Sequence, residues 1–341
     1  MVAEKARCRE AYSGKSATFL GNNLTVSRLT MRIVNIAARG HHNDEKARHL
    51  GNVGSIETSH MDREIALAIN RIVSELRRNS GYLARHEIKE LLKNISLDAK
   101  RLEPFGFKVY SQNDEDGIIQ EIFNRLGIRQ GQFCEIGVEN GLECNSLYLI
   151  HKGWRGWWID GNPKQREHIE KKFGSLLAGG RLQLLVDIVT AENINPHFVK
   201  CKLDQGDLDF LSIDVDGNDI YLLEAMNSNP KVICIEYNAK FPPPITKKQV
   251  YNPDHRWTGT DYMGASLVAI DEIARKKNYT LVATNITGSN AFFVRNDLVK
   301  DLFCSNNHTE YLYNPPRYWL TFDAFQFIGH RADFGPYTDL V

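Results

Sequence analysis

The sequence has no excess charge, no long apolar run and no paired cysteines, and each absence removes a class of function. Lysine plus arginine number 42, and aspartate plus glutamate also number 42. No net field therefore draws nucleic acid or anionic lipid toward the chain, and a nucleic-acid partner is disfavoured. No stretch approaches the roughly twenty apolar residues that cross a bilayer, and no charged-then-apolar leader is present. The expectation is a cytoplasmic protein with no membrane partner. The six cysteines (Cys8, Cys134, Cys144, Cys201, Cys234, Cys304) form no C-x-x-C pair. Cys134 and Cys234 lie in apolar runs, where cysteine acts as a small hydrophobe, which indicates a reducing compartment without zinc. Residues 11 to 43 lack Asp and Glu but contain Arg28, Arg32 and Arg39. An organellar leader and a loosely packed basic tail are alternative readings of that segment.

What is present falls into four stretches. Residues 1–60 show no sustained period and read as an irregular extension. Residues 61–104 read as a helical arm: Ile65, Ile69, Ile72, Val73 and Leu76 share one helical face, and a second helix over 82–95 turns Leu83, Ile88, Leu91 and Leu92 inward. This arm could be a lid, a cap or a contact in a homo-oligomer. From about residue 105 to 300 short β-rich runs alternate with helical ones, which argues for parallel strands joined by crossover helices. "GIIQEIFNRLG" reads as a helix closed by Gly127. The strand candidates are "QFCEIGV", "GWWIDG", "LQLLVDIV", "DFLSIDV", "KVICIEY", "YTLVAT" and "NAFFVRN". Only "NITGS" separates the last two, too short for a parallel crossover, so they form an antiparallel hairpin. Residues 301–341 read as a C-terminal extension packed on this domain. The fold class is α/β, a seven-stranded, mostly parallel sheet with helices on both faces plus the N-terminal arm.

In such a sheet ligands bind beyond the carboxyl ends of the strands, where strand order reverses. "FCEIGVENG" places Gly137 and Gly141 in the first strand's loop. A dinucleotide site asks for G-x-G-x-x-G so that backbone approaches a pyrophosphate. This loop lacks that spacing and carries Glu135 and Glu139, which would repel one. The carboxylates suit a ligand with a cationic portion, such as the sulfonium and ammonium of S-adenosylmethionine. Asp160, ending "GWWID", is placed to accept hydrogen bonds from ribose hydroxyls. Asp187, ending "LQLLVD", suits an adenine edge or a helix cap. An ordinary strand-to-helix turn remains an alternative for the two glycines.

Beyond these single positions, residues 105 to 300 resemble the FkbM-type methyltransferases, a class I, Rossmann-like, S-adenosylmethionine-dependent family acting mainly on hydroxyls of small molecules and sugars. The resemblance rests on "YSQNDEDGIIQEIF", "FCEIGVENGLECNSLYL", "GWRGWWIDGNP", "LSIDVDGNDIYLLEAM" and "VICIEYNAKFPP". The family's usual "DVEG" is here Asp214, Val215, Asp216 and Gly217. The resemblance implies that Ser111 and Gln112 contact the methionine end of the cofactor. A capped helix start explains the same "SQNDEDG".

A second acidic group follows. "IDVDGND" ends the fourth strand and "IEYN" the fifth, so Asp214, Asp216, Glu236 and Asn238 should converge on the cofactor's edge of the sheet. Magnesium held by Asp214, Glu236 and Asn238 would relieve the repulsion and lower the pKa of a substrate hydroxyl. Alternatively Asp214 and Asp216 contact cofactor or cap a helix, while Glu236 and Asn238 take substrate without metal. Asp214 and His255 are the catalytic candidates, with His255 as general base and His330 and Lys240 as alternatives. Tyr237, Tyr251, Trp257 and Tyr262 could line a pocket for a planar or sugar substrate, or pack under the loop. Two other functions remain on this reading: nicotinamide-dependent redox chemistry on a related sheet, and cofactor binding by a scaffold without turnover.

Overall fold

The computed structural model describes residues 60–204, 208–320 and 333–335. The expectations for 1–59, including Cys8 and the basic stretch, lie outside the described residues, as does His330. Contacts separate a unit ending at Leu67 from one beginning at Ala68, and the sheet belongs wholly to the second.

Helix α1 runs unbroken over His60–Ile95, where two helices were expected. Its face bearing Ala84, Ile88 and Leu91 is covered. Leu83, expected inward, is 72% exposed, and Ile72 and Leu76 are exposed as well. Helical spacing identified an apolar face but not whether anything covers it. A short 3-10 turn over Glu103–Phe105 leads to α2, Glu115–Leu126, which Gly127 closes in the left-handed conformation at φ 70°. Glycine adopts that conformation without a Cβ penalty.

The seven expected strands are all present: β1 Gln132–Ile136, β2 Arg155–Asp160, β3 Leu182–Val186, β4 Phe210–Ile213, β5 Val232–Glu236, β6 Tyr279–Thr284 and β7 Asn290–Arg295. Between them lie α3 Leu147–His151, α4 Pro163–Ala178, α5 Ile194–Lys200, α6 Asp219–Ala225 and α7 Leu267–Lys276. Two short helices, α8 Asn296–Val299 and α9 Thr309–Leu312, follow the sheet. Its order is β3-β2-β1-β4-β5-β7-β6. The first five strands run parallel to their neighbours, and β7 inserts antiparallel between β5 and β6. Such a sheet is Rossmann-like with the antiparallel β6–β7 hairpin that the short "NITGS" connection requires.

Alternation along the strands explains the two-sided core. On β1, Cys134 and Ile136 join one apolar cluster with Leu211, Ile233 and Ile235. Phe133 points to the other, with Trp158, Phe210, Val232 and Cys234. Both faces are thus sealed, and polar side chains can converge only at the strand ends. Strand order reverses between β1 and β4, since β2 and β3 are added outward on one side before the chain returns to add β4 on the other. The crevice rule for open α/β sheets places the site there. No helix among the described residues is long and apolar enough to cross a membrane.

Candidate functional site

The β1 loop is held from below by its own carboxylate. Glu135, 2% exposed, accepts hydrogen bonds from the Asn145 and Ser146 backbone N–H groups at 2.7 and 2.9 Å and from the Ser146 hydroxyl. Trp158 Nε1 donates to that hydroxyl at 2.8 Å. Glu135 is therefore a loop anchor, and burial raises its pKa despite these donors. Gly137 sits at φ 87°, and a Cβ there would lie 1.6 Å from the Asp214 carbonyl oxygen. Gly141, at φ 79°, lies against the Trp158 ring, 2.5 Å from where its Cβ would be. Close approach of chain to chain, rather than of chain to phosphate, accounts for both glycines.

Asp160 takes the next position along the edge. Its carboxylate accepts from Glu139 N and Asn162 N, each at 2.7 Å, and burial raises its pKa against those bonds. A carboxylate offers about four acceptor sites, so lone pairs remain for a second partner. Glu139 itself holds φ 48°. Its pKa is raised by desolvation and by the charges of Asp216 and Asp160. Asp187 is exposed. Its Oδ1 accepts from the adjacent Ile188 N at 2.9 Å, its Oδ2 lies 3.7 Å from His197 Nε2, and the cap of α5 is Asn193 instead. Ser111 is fully buried and trades bonds with Asp116, its N donating to Oδ2 at 2.9 Å and its hydroxyl accepting from Asp116 N at 3.2 Å. The capped helix start is thus what Ser111 builds, while Gln112 beside it is exposed.

Three carboxylates meet at the ends of β4 and β5. Ligand atoms of Asp214, Asp216 and Glu236 all lie within 4.8 Å of one another. Glu236 Oε2 is enclosed and has no hydrogen-bond partner. Burial, then the charge of Asp214, pushes Glu236 well above the usual carboxylate range. Burial, then the charges of Asp219 and Asp216, does the same to Asp214. Asp216, held at φ 57°, is raised by desolvation and lowered by the nearby charge of His255. His255 Nε2 is also enclosed without a partner, and its ring lies 6.3 Å from that of Tyr262. An unpaired acceptor among three acids is what an added cation, or a shared proton, satisfies.

Asn238 does not join this group. Its amide donates to the Asp261 and Met263 carbonyls at 3.0 and 2.8 Å, and its Oδ1 accepts from Lys240 N at 3.1 Å. The side chain is spent on securing the loop, and Asp216 supplies the third oxygen of the cluster. Lys240 is ion-paired with Asp261, which removes it as a free base. Tyr237 is buried with its hydroxyl donating to Asn314 O at 2.7 Å, so it packs rather than lines a pocket. Tyr251 donates to Glu192 at 2.5 Å. Trp257 and Tyr262 are about half exposed, at 49% and 59%. Two residues of this edge escape sequence reasoning. Asp219 accepts from Val215 N and Gly217 N at 2.9 and 2.8 Å and so shapes the loop that carries Asp216. Its spacing within "DVDGND" could have revealed this. Tyr318, whose phenol is raised to about 12 by burial and by the charge of Glu236, arrives from the C-terminal extension, for which no pattern exists.

No family model matches the chain, and no curated protein matches it. Several solved structures align with it. The Bacillus cereus O-methyltransferase in complex with SAH does so at 16% identity and a TM-score of 0.36, over 62% of this chain and 88% of that one. M. capricolum TrmK in complex with S-adenosyl-homocysteine aligns at 13% identity and a TM-score of 0.32, over 50% of this chain and 64% of that one. An O-methyltransferase family protein from Burkholderia thailandensis aligns at 12% identity and a TM-score of 0.34, over 52% and 54%. Likenesses this distant carry no argument about chemistry. The fold class rests on the order and directions of the seven strands, and the reading of the site on its own geometry.

Proposed function

We propose that the chain is an S-adenosylmethionine-dependent methyltransferase of the FkbM type, transferring a methyl group to a hydroxyl of a small molecule or sugar, in the cytoplasm and without a nucleic-acid partner. The observation that carries this reading is the edge at the switch point. Glu139, Asp160, Asp214, Asp216 and Glu236 all have raised pKa values there. Beside these five acids stands one imidazole, that of His255 near Asp216. A predominantly acidic, partly desolvated edge favours a positively charged ligand and opposes the pyrophosphate of a nicotinamide cofactor.

S-adenosylmethionine, when bound, supplies an electrophilic methyl group on a positively charged sulfur. The residues of this chain bind and orient. Asp160 offers its remaining lone pairs to ribose hydroxyls, and Gln112 is the group near the methionine end able to turn toward the ligand. Asp214, Asp216 and Glu236 fit a magnesium ion, since oxygen donors at mutual distances within 4.8 Å and an unpaired Glu236 Oε2 are what a hard cation takes. Such an ion, if held there, would lower the pKa of a hydroxyl bound to it. His255 Nε2, unpaired beside Asp216, would take the proton of the acceptor hydroxyl. Trp257 and Tyr262 flank the acceptor.

Calorimetric titration of chelator-treated protein with S-adenosylhomocysteine, repeated with magnesium and with NAD in its place, tests the reading. Micromolar binding of S-adenosylhomocysteine and none of NAD is expected. Asp160→Ala is expected to weaken that binding by about 1.5–3 kcal/mol through loss of hydrogen bonds to a buried carboxylate. Binding of neither ligand would instead favour a scaffold without turnover, for which the self-satisfied Glu135 loop is already suited.

A further inference from the structure

Helix α1 carries two apolar stripes, and among the described residues only one of them is covered. Positions 81, 84, 88, 91 and 95 lie on the stripe that packs onto the rest of the unit: Gly81 and Ala84 are buried, and Ile88, Leu91 and Ile95 are half-buried. Positions 69, 72, 76 and 83 lie roughly a third of a turn around the helix. On that second stripe Ile72 is 59% exposed, Leu76 61% and Leu83 72%, with Ile69 half-buried. Leucines and isoleucines this exposed, with no covering partner among the described residues, are costly over this length of helix.

The open stripe has the line and the exposed area of a seam between two helices. Ile69, Ile72, Leu76, Asn79 and Leu83 follow one another at intervals of three, four, three and four residues. That is the heptad spacing of a coiled-coil seam; the covered stripe at 81, 84, 88, 91 and 95 repeats it, and the open stripe differs in how exposed its side chains are. Val73 and Tyr82 widen the seam on its flanks, at 38% and 66% exposed, and the opposite face carries Arg71, Ser74, Arg78 and Arg85. The exposed apolar area of these side chains is on the order of 500 Å² per copy, so two copies together reach the area of about 1,000 Å² that a specific interface needs. A membrane surface suits the stripe less well, because a helix lying in lipid presents a broad apolar face rather than a two-position seam. Asn79, exposed and in line with the seam, is the kind of single polar residue that fixes register between paired helices at some cost in stability.

We infer that the chain forms a homodimer through α1, two copies pairing along Ile69, Ile72, Leu76, Asn79 and Leu83. This surface is separate from the acidic edge, and the inference does not depend on the proposed chemistry. Sedimentation velocity of the full-length protein from sub-micromolar to tens of micromolar tests it. A concentration-dependent dimer is expected, and Ile72→Glu with Leu76→Glu should raise its dissociation constant at least tenfold. The thermal midpoint of the dilute protein should stay unchanged, because both side chains are solvent-facing in the single chain. Leu76→Met should leave the dimer intact, and Asn79→Leu should tighten it. A wild-type monomer throughout the range would overturn the inference, as would a dimer that survives the double Glu variant. An Asn79→Leu protein with unaltered association would overturn the pairing register that puts Asn79 in the seam.

Discussion

At the scale of single residues, the chain keeps several carboxylates where water would not put them, and two of these separate function from stability. Glu236 is raised well above its usual range by burial and by Asp214, and its Oε2 has no partner. Removing that charge relieves repulsion, so Glu236→Gln is expected to melt at the same or a higher temperature than wild type while losing magnesium binding in a calorimetric titration. Asp116 behaves differently. Its Oδ2 accepts from Val109, Tyr110 and Ser111 N–H groups at 2.6, 2.7 and 2.9 Å, yet burial lifts its pKa from 3.8 to about 6. The folded state therefore holds this proton where the unfolded chain has released it. The resulting stabilisation is complete below pH 3.8 and is lost as pH rises through about 6. Asp116→Asn should flatten the melting temperature across that window, and Asp116→Ala should cost about 3 kcal/mol in chemical denaturation, because two buried donors and one part-buried donor lose their acceptor.

At the scale of elements, two glycines with similar dihedrals make opposite demands. Gly127 closes α2 at φ 70° with no atom within 4 Å of an added Cβ, so Gly127→Ala should cost only about 1–2 kcal/mol of conformational strain. Gly137 turns at φ 87° with the Asp214 carbonyl 1.6 Å from an added Cβ. Gly137→Ala should therefore destabilise by more than about 4 kcal/mol or yield no folded protein, read by circular dichroism and denaturant midpoint. The strands were legible because "QFCEI", "RGWWID" and the other runs combine apolar side chains with flanking turns, and the length of "NITGS" dictated the hairpin. The two-helix reading of α1 failed because the apolar face over 65–76 and the one over 83–92 were read as separate helices, whereas one continuous helix carries both. Of the site, Asp214 and Glu236 followed from their places at the ends of β4 and β5. Asn238 was misassigned because sequence cannot show that the Asp261 and Met263 carbonyls occupy its amide, and Tyr318 was invisible because its approach to Glu236 depends on tertiary folding alone.

At the scale of the whole molecule, neutrality hides a strongly polarised edge. Equal numbers of acidic and basic residues coexist with strand ends where Asp214, Asp216 and Glu236 all bind protons more tightly than usual. A cation entering there must displace those protons. Magnesium affinity is therefore expected to strengthen as pH rises through the neutral range, with proton release detectable as a buffer-dependent heat in calorimetry. Equal affinity at pH 6 and pH 8 would separate the ion from these three acids.

The sheet order also governs how the chain reaches this state. Phe133 on β1 pairs with Phe210 on β4, so the middle of the sheet closes only after β2 and β3 have been threaded to one side. The β6–β7 hairpin, in contrast, joins neighbours across "NITGS". Loop closure makes distant pairings slow and near ones fast. On refolding, amide protection should appear first in 279–295 and last across the β1–β4 seam, and it is in that late seam that Gly137 and Asp214 must meet.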